Sequence, residues 1–372
     1  MRHAASIIAA LAALACLCGC SNMNSSAQPV PDAEVQTPQA QVDYEVFDDV
    51  NPYTGLAKGE NYPQGRRGVA VMINNVRVAW PQSGINSADL VYEIVTESGI
   101  TRLMAVYRDY AAMPTVGPLR SARDQHIQLM LPLDTLYAHI GSSNTARDYL
   151  EIYKYQNTKS IDGRYKNFYW IDGERRKTKD QEHCVYTNGA TFADAVKRYE
   201  INDRLEYEPN PVFDFVRYDE PVRELEGGVA QDVYLRFSGY ADARLTYNPE
   251  NGKYMKMQYG QPQVDMADGI RQYGAENAFI LFADVEKYPD GVLAHVRFDA
   301  GQGAGIYLNG GRYERVRWLK ASPAEPLRIV DNEGKEIDIK INPGKSYIAV
   351  VDTKQIANCR IDGKTLEEAF EA

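Results

Sequence analysis

An α+β fold, in which an N-terminal mixed α/β domain is followed by a smaller, mainly β C-terminal domain, is what three features of this sequence predict. Short apolar runs of buried-strand type alternate with helical stripes between residues 64 and 207. From 209 to 372 the helical stripes give way to apolar runs separated by turn signals, among them Asn309-Gly310 and Asn332-Glu333-Gly334. Ahead of both, residues 20–63 hold few large apolar side chains at first and then loop-like pairs such as Asn51-Pro52, and read as a flexible tether and lead-in.

The chain opens with Arg2 and His3, an apolar run from Ala4 to Leu17, and then Cys18-Gly19-Cys20. A basic start, an apolar stretch shorter than the ~20 residues of a membrane span, and small residues before a cysteine predict a lipoprotein signal peptide over residues 1–19. Cys20 is then the lipidated residue, anchoring the protein at the extracytoplasmic face of the cell membrane. The formal net charge of −10 argues against nucleic acid as a partner. Cys184 and Cys359, the only cysteines beyond Cys20, carry no disulfide-framework or metal spacing and are expected to be free thiols.

Gly68 to Ile73 is a continuous apolar run, as a strand buried on both faces requires, and it ends in Asn74-Asn75. A polar loop from Pro81 to Ala88 carries Gln82. Asp89 to Glu97 and Ile100 to Arg108 read as two strands joined by a two-residue Ser98-Gly99 turn. In that register Glu93 faces Met104 and Asp89 faces Arg108, so Asp89, Glu93, Glu97, Arg102 and Arg108 share one face of the hairpin. Gly117-Pro118-Leu119-Arg120-Ser121-Ala122-Arg123 then reads as a turn running into a helix from Ser121 to Leu131, with Ser121 as N-cap and Asp124 in the capping-box position. Leu136 to Ile140 is a further strand, bringing His139 to its end before Gly141-Ser142-Ser143, and helices are expected over 145–155 and 191–199. Val233 to Phe237, Phe279 to Phe282, His295 to Phe298 and Tyr347 to Val351 are the strand runs of the second domain.

Two guanidiniums three residues apart, Arg120 and Arg123, suit an anion. With Arg102 on the hairpin face they form one wall of a mixed-charge site whose other wall is acidic. Three readings follow. In a binding module, Arg102, Arg120 and Arg123 contact an anionic group of a wall glycan, lipid-linked precursor or peptide, Asn75 and Gln82 hydrogen-bond it, and Asp89 and Glu93 orient the arginines. In a phosphoryl-transfer or hydrolytic enzyme acting on an envelope polymer, the arginines stabilise developing charge, Asp89 or Glu93 holds a divalent cation or acts as base, and His139 is the acid. In a structural or protein-partner role, the same charges are internal ion pairs. No cofactor is implied beyond the cation of the enzymatic reading. The phosphate loops, the nucleophile elbow and the zinc-helix motif of common enzymes are all absent from the sequence.

A run of short motifs also carries a resemblance. Val69-Ala70-Val71-Met72-Ile73-Asn74-Asn75, Pro81-Gln82-Ser83-Gly84, Ala88-Asp89-Leu90-Val91-Tyr92-Glu93, Gly99-Ile100-Thr101-Arg102 and Val116 to Arg123 resemble the YerB-type lipoproteins of mainly Gram-positive bacteria. Tyr137-Ala138-His139-Ile140-Gly141, Ile306 to Gly311 and Asn342-Pro343-Gly344-Lys345 continue the match. The resemblance implies a lipid-anchored, extracytoplasmic, two-domain protein and no particular activity. The order Asp89, Arg102, Arg120, Arg123 is also similar, at the level of plan, to the LytR-CpsA-Psr glycan phosphotransferases, which implies arginines, acidic residues and a divalent cation around a polyprenyl-phosphate-linked substrate.

Overall fold

The computed structural model describes residues 44–156, 158–206, 208–296, 298 and 301–371. The expected signal peptide, Cys20 and the tether before residue 44 lie outside these residues. The fold is α+β: mixed parallel and antiparallel pairing in the N-terminal region, mainly antiparallel pairing in the C-terminal one. In chain order the N-terminal region gives β1 (Val69–Asn74), β2 (Leu90–Val95), β3 (Thr101–Tyr107), helix α1 (Asp124–Met130), β4 (Leu136–Ala138), α2 (Asn144–Ile152), β5 (Ser160–Ile161) and α3 (Gly189–Arg198).

A ten-stranded sheet runs through both regions. From one edge its strands are Arg328–Asp331, Arg312–Lys320, Gly301–Asn309, Asn277–Ala283, Ser346–Asp352, β2, β3, β1, β4 and β5. Ser346–Asp352 lies parallel to Asn277–Ala283 on one side and to β2 on the other, joining the two halves. Along β1, Val69, Val71 and Ile73 enter one core with Phe192 of α3, while Ala70 and Met72 enter a second with Ile127 of α1 and Leu150 of α2. With both faces covered, each buried Val, Ile or Leu contributes roughly 1.5–3 kcal/mol, and the strand is apolar at nearly every position instead of alternating.

A second, seven-stranded sheet includes Asp232–Arg236, Asp242–Asn248 and Lys253–Gln258. Its Val233, Leu235, Ala243 and Leu245 pack into the core that holds Phe192, so it covers the same face of the large sheet as α3. Cys184 and Cys359 are buried free thiols.

Two local expectations are corrected. The β2–β3 connection is not a two-residue turn. Thr96 N–H donates to the Ile100 carbonyl at 2.7 Å, leaving Glu97-Ser98-Gly99 in the turn, with Ser98 at φ 55° and Gly99 at φ 75°. The register moves by one, so Glu93 faces Leu103 and Ile94 faces Arg102. A one-residue slip exchanges faces: Glu93 and Arg102 point to opposite sides of the sheet. Arginines outside the turn supply the cause, since both Arg102 and Arg123 grip the Glu97 carboxylate and hold that residue in the turn.

The second correction concerns the arginine segment. Helix α1 begins at Asp124, with Arg123 at its N-cap, and Ser121 does not cap it. Residues before it are extended because they complete the sheet's hydrogen bonding. Arg120 N–H donates to the Met72 carbonyl at 2.9 Å and Ala122 N–H to the Gly141 carbonyl at 3.0 Å. Neither Arg120 nor Arg123 therefore lies in a helical turn.

Candidate functional site

The structure distributes the predicted site residues over four places. Of the three arginines, Arg102 and Arg123 meet, on the Glu97 carboxylate. Arg123 grips Glu97 with two prongs, Nε to Oε2 at 2.9 Å and Nη2 to Oε1 at 2.7 Å, and Arg102 Nη2 takes the same Oε1. Each guanidinium is also tied to main chain: Arg102 Nη1 donates to the Ser121 carbonyl at 2.6 Å and Arg123 Nη1 to that of Ala122 at 2.7 Å. Burial, then the neighbouring Arg123 charge, holds the Arg102 guanidinium below its ordinary value. Partial burial works to raise the Glu97 carboxyl, but the Arg102 charge and the Arg123 hydrogen bond outweigh it and hold the group below the usual carboxylate range. Arg120 stands apart, paired at 2.7 Å with the half-exposed Glu182. A surface pair of that kind contributes about 0–1 kcal/mol.

Asn75, Gln82 and Glu93 meet on the other side of the sheet, in a closed interior. Glu93 Oε1 accepts from Asn75 Nδ2 at 2.9 Å, Thr101 Oγ1 at 2.7 Å and Gln258 Nε2 at 3.0 Å, and Oε2 accepts from Tyr347 Oη at 2.7 Å and Lys256 Nζ at 2.8 Å. Asn75 Oδ1 in turn accepts from Gln82 Nε2 and Gln263 Nε2, both at 3.1 Å. The side chains of Lys256 and Glu93 are 1% and 0% exposed. Burial pushes the Lys256 amine down, and the Glu93 charge opposes that push. Every oxygen of this carboxylate is occupied by protein donors, so Glu93 neither orients the arginines nor shares a site with them.

Asp89 sits just before the start of β2, where its Oδ2 accepts the Arg108 N–H at 2.7 Å. It lines a cleft of about 380 Å³ with Tyr62, Tyr107, Arg108 and Asp109. Burial raises its carboxyl above the usual range against the pull of the Arg108 N–H and the Lys345 charge. Asp89 and Glu93 thus act in separate surroundings. Among the described residues no three His, Cys, Asp or Glu side chains form a group that could hold a metal ion.

His139 lies at the fourth place, on the wall of another cleft. A cleft of about 450 Å³ is lined by His139, Gly141, Ser142, Arg147, Gln156, Asp162, Gly163 and Arg164. It borders the arginine segment through the Ala122–Gly141 hydrogen bond, and Gly141, at φ 76°, backs directly onto Ser121. The imidazole is buried. Nδ1 is 2.6 Å from the Gly141 carbonyl, which makes it the protonated nitrogen, and Nε2 is 2.9 Å from Ser160 Oγ. Burial lowers its pKa below the ordinary histidine value, favouring the neutral ring. With both nitrogens engaged, the ring shapes the wall of the cleft and is not poised as an acid.

Charge in this cleft comes from residues that sequence reasoning missed. Arg164 is forked onto Asp162, with Nε at 2.9 and 3.0 Å from the two carboxylate oxygens. Arg147, exposed on the first turn of α2 after the Ser143 N-cap, is in no ion pair among the described residues. The Asp162-Gly163-Arg164 turn at the end of β5 was the available signal, but only the fold brings it beside Gly141. Lys256, Gln258, Gln263 and Tyr347 were missed because strand pairing alone carries them to Glu93.

These features define a two-domain α+β fold with a cleft lined by Arg147 and Arg164, and its family can be stated. Residues 53–202 match the model described as "Protein of unknown function (DUF3048) N-terminal domain", and residues 233–348 match the corresponding C-terminal domain. The chain belongs to this DUF3048 family. It is similar to the protein called "Putative lipoprotein YerB" of Bacillus subtilis (strain 168), 31% identical over 307 residues that span 81% of this chain and 85% of the relative. The crystal structure of YerB protein from Bacillus subtilis shares the fold, with a TM-score of 0.67 at 23% identity, covering 81% of this chain and 96% of that one.

Proposed function

We propose that this protein is a lipid-anchored binding module at the extracytoplasmic face of the cell membrane, holding an anionic group of an envelope ligand in the cleft at His139. The observation that carries this reading is Arg147. It is an exposed guanidinium without a counter-ion among the described residues, on the rim of an opening of about 450 Å³, in a chain of net charge −10. A cation in that setting suits a carboxylate or phosphate, and the Gly141-Ser142 backbone leaves room for a ligand to approach. The similarity to a protein named a lipoprotein and the Cys18-Gly19-Cys20 sequence support the anchor through Cys20. A wall glycan or lipid-linked precursor fits the location.

Binding is preferred to catalysis because His139 has both nitrogens engaged and Glu93 is enclosed by its own donors. The test uses full-length protein in detergent, titrated with anionic wall fragments and with lipid-linked precursors, with and without magnesium. Saturable binding that Arg147→Ala weakens at least tenfold, with the melting temperature unchanged and the ligand recovered intact, is expected. Turnover of the precursor refutes the binding reading in favour of the enzyme, and binding indifferent to Arg147→Ala refutes this cleft.

A further inference from the structure

The arginine pair and Glu97 do not balance. Arg102 and Arg123 bring two positive charges, both buried, against the single carboxylate they share. The neighbouring Asp124 carboxylate is engaged elsewhere, by Thr145 Oγ1 at 3.1 Å and Tyr288 Oη at 2.9 Å. Arg102 Nε is buried with no acceptor, in a side chain only 1% exposed. Buried donors almost always find an acceptor, because an orphan costs about 1–3 kcal/mol. The cluster is thus short of both negative charge and acceptor atoms.

Two more features show how the shortage can be met. The guanidiniums are fixed independently of Glu97, by the carbonyls of Ser121 and Ala122, so removing the carboxylate leaves the fork in place. Glu97 itself comes from the tight turn between β2 and β3, with two left-handed residues after it, and keeps a fifth of its side chain exposed. It reaches the cradle from the surface and not through a core strand.

We propose that Arg102 and Arg123 form a binding site for a dianionic phosphate group, as free phosphate or a phosphomonoester, and that Glu97 is its built-in occupant, displaced when the ligand binds. A phosphate dianion neutralises both guanidiniums where one carboxylate cannot, and its additional oxygens supply the acceptors the fork lacks. The proposal rests on these residues alone and is independent of the cleft at Arg147.

Glu97 acts as a tethered competitor, so its removal must strengthen binding. Full-length protein and Glu97→Gln are titrated calorimetrically with inorganic phosphate and with glycerol 1-phosphate at matched ionic strength, and amide exchange is followed at Ser98 to Ile100. At least tenfold tighter binding in Glu97→Gln is expected, abolished by adding Arg102→Met, together with faster exchange of the turn in wild type when ligand is present. Preference for one titrant distinguishes the ester from the free ion. Equal affinity in wild type and Glu97→Gln, a gain that survives Arg102→Met, or a turn that exchanges no faster with ligand overturns the proposal. If Glu97→Gln does not fold, Glu97→Asp, which retracts the carboxylate by one methylene, must show an intermediate gain. A chain that folds with neither shows that the carboxylate is structural and refutes displacement.

Discussion

Replacing Lys256 with methionine isolates the buried pair that fastens the two family regions, because Glu93 lies within residues 53–202 and Lys256 within 233–348. Methionine keeps most of the length of the side chain and leaves little cavity, so the loss is electrostatic. Lys256 Nζ donates to Glu93 Oε2 at 2.8 Å, Gln258 Oε1 at 2.9 Å and Gln263 Oε1 at 2.6 Å. Leaving a buried charge without its partner costs about 3–5 kcal/mol. Here the four remaining donors to Glu93 soften that figure, while two amide oxygens each lose a donor worth about 1 kcal/mol. The net expectation is a loss of roughly 4 kcal/mol. Urea unfolding with an unchanged m-value measures it, and the double variant Glu93→Gln/Lys256→Met should recover part of the loss because no charge remains unpaired. A single Lys256→Met cost below about 1 kcal/mol would refute the reasoning, since a group that removable holds nothing together.

Three further outcomes follow from the same geometry. Glu97→Gln should flatten the acid limb of the stability curve. The folded Glu97 carboxyl lies below its unfolded value of 4.5, so its contribution is present above pH 4.5 and is lost as pH falls through the folded value; parallel curves for wild type and variant below pH 5 would contradict this. His139, neutral and buried, must take up a proton on unfolding, so its share of stability declines as pH falls below 6.5 towards the lower folded value. His139→Gln should remove that dependence in denaturant titrations between pH 7 and pH 5. Gly117→Ala should cost at least about 2 kcal/mol, because a Cβ at φ 154° would lie 2.7 Å from both the Val185 carbonyl and the Tyr186 ring; a melting temperature within 2 °C of wild type, on the order of the shift from 0.5 kcal/mol, would count against it.

Sequence legibility followed the range of the forces involved. The apolar run of β1, helix α3 and the turn after Asn309 were readable because local periodicity and glycine conformation determine them. Gly310 and Gly311 both adopt positive φ, as a tight two-residue hairpin requires. The β2–β3 register was not readable, since Ser98-Gly99 alone fits a two-residue turn. The deciding contact is Arg123 on Glu97, made by a side chain beyond the hairpin. Small-residue spacing pointed to an open loop at Gly141-Ser142, and a cleft lies beside it, but its charge comes from Arg147 and Arg164 on elements whose proximity only the tertiary fold creates. Likewise, the fate of Glu93 depended on Lys256, distant in the chain, and no local pattern could separate a ligand-facing carboxylate from one enclosed by a second sheet.

Ser346–Asp352, which follows the other nine strands of its sheet in chain order, fills the gap between Asn277–Ala283 and β2. Before it is made, a growing chain has two partial sheets, each with an open inner edge and no partner to close it. Pairings this distant in sequence form slowly, and the native sheet cannot close until this strand is in place. The order of strands therefore makes closure of the sheet a late step: the two halves become one sheet only when Ser346–Asp352 pairs with both.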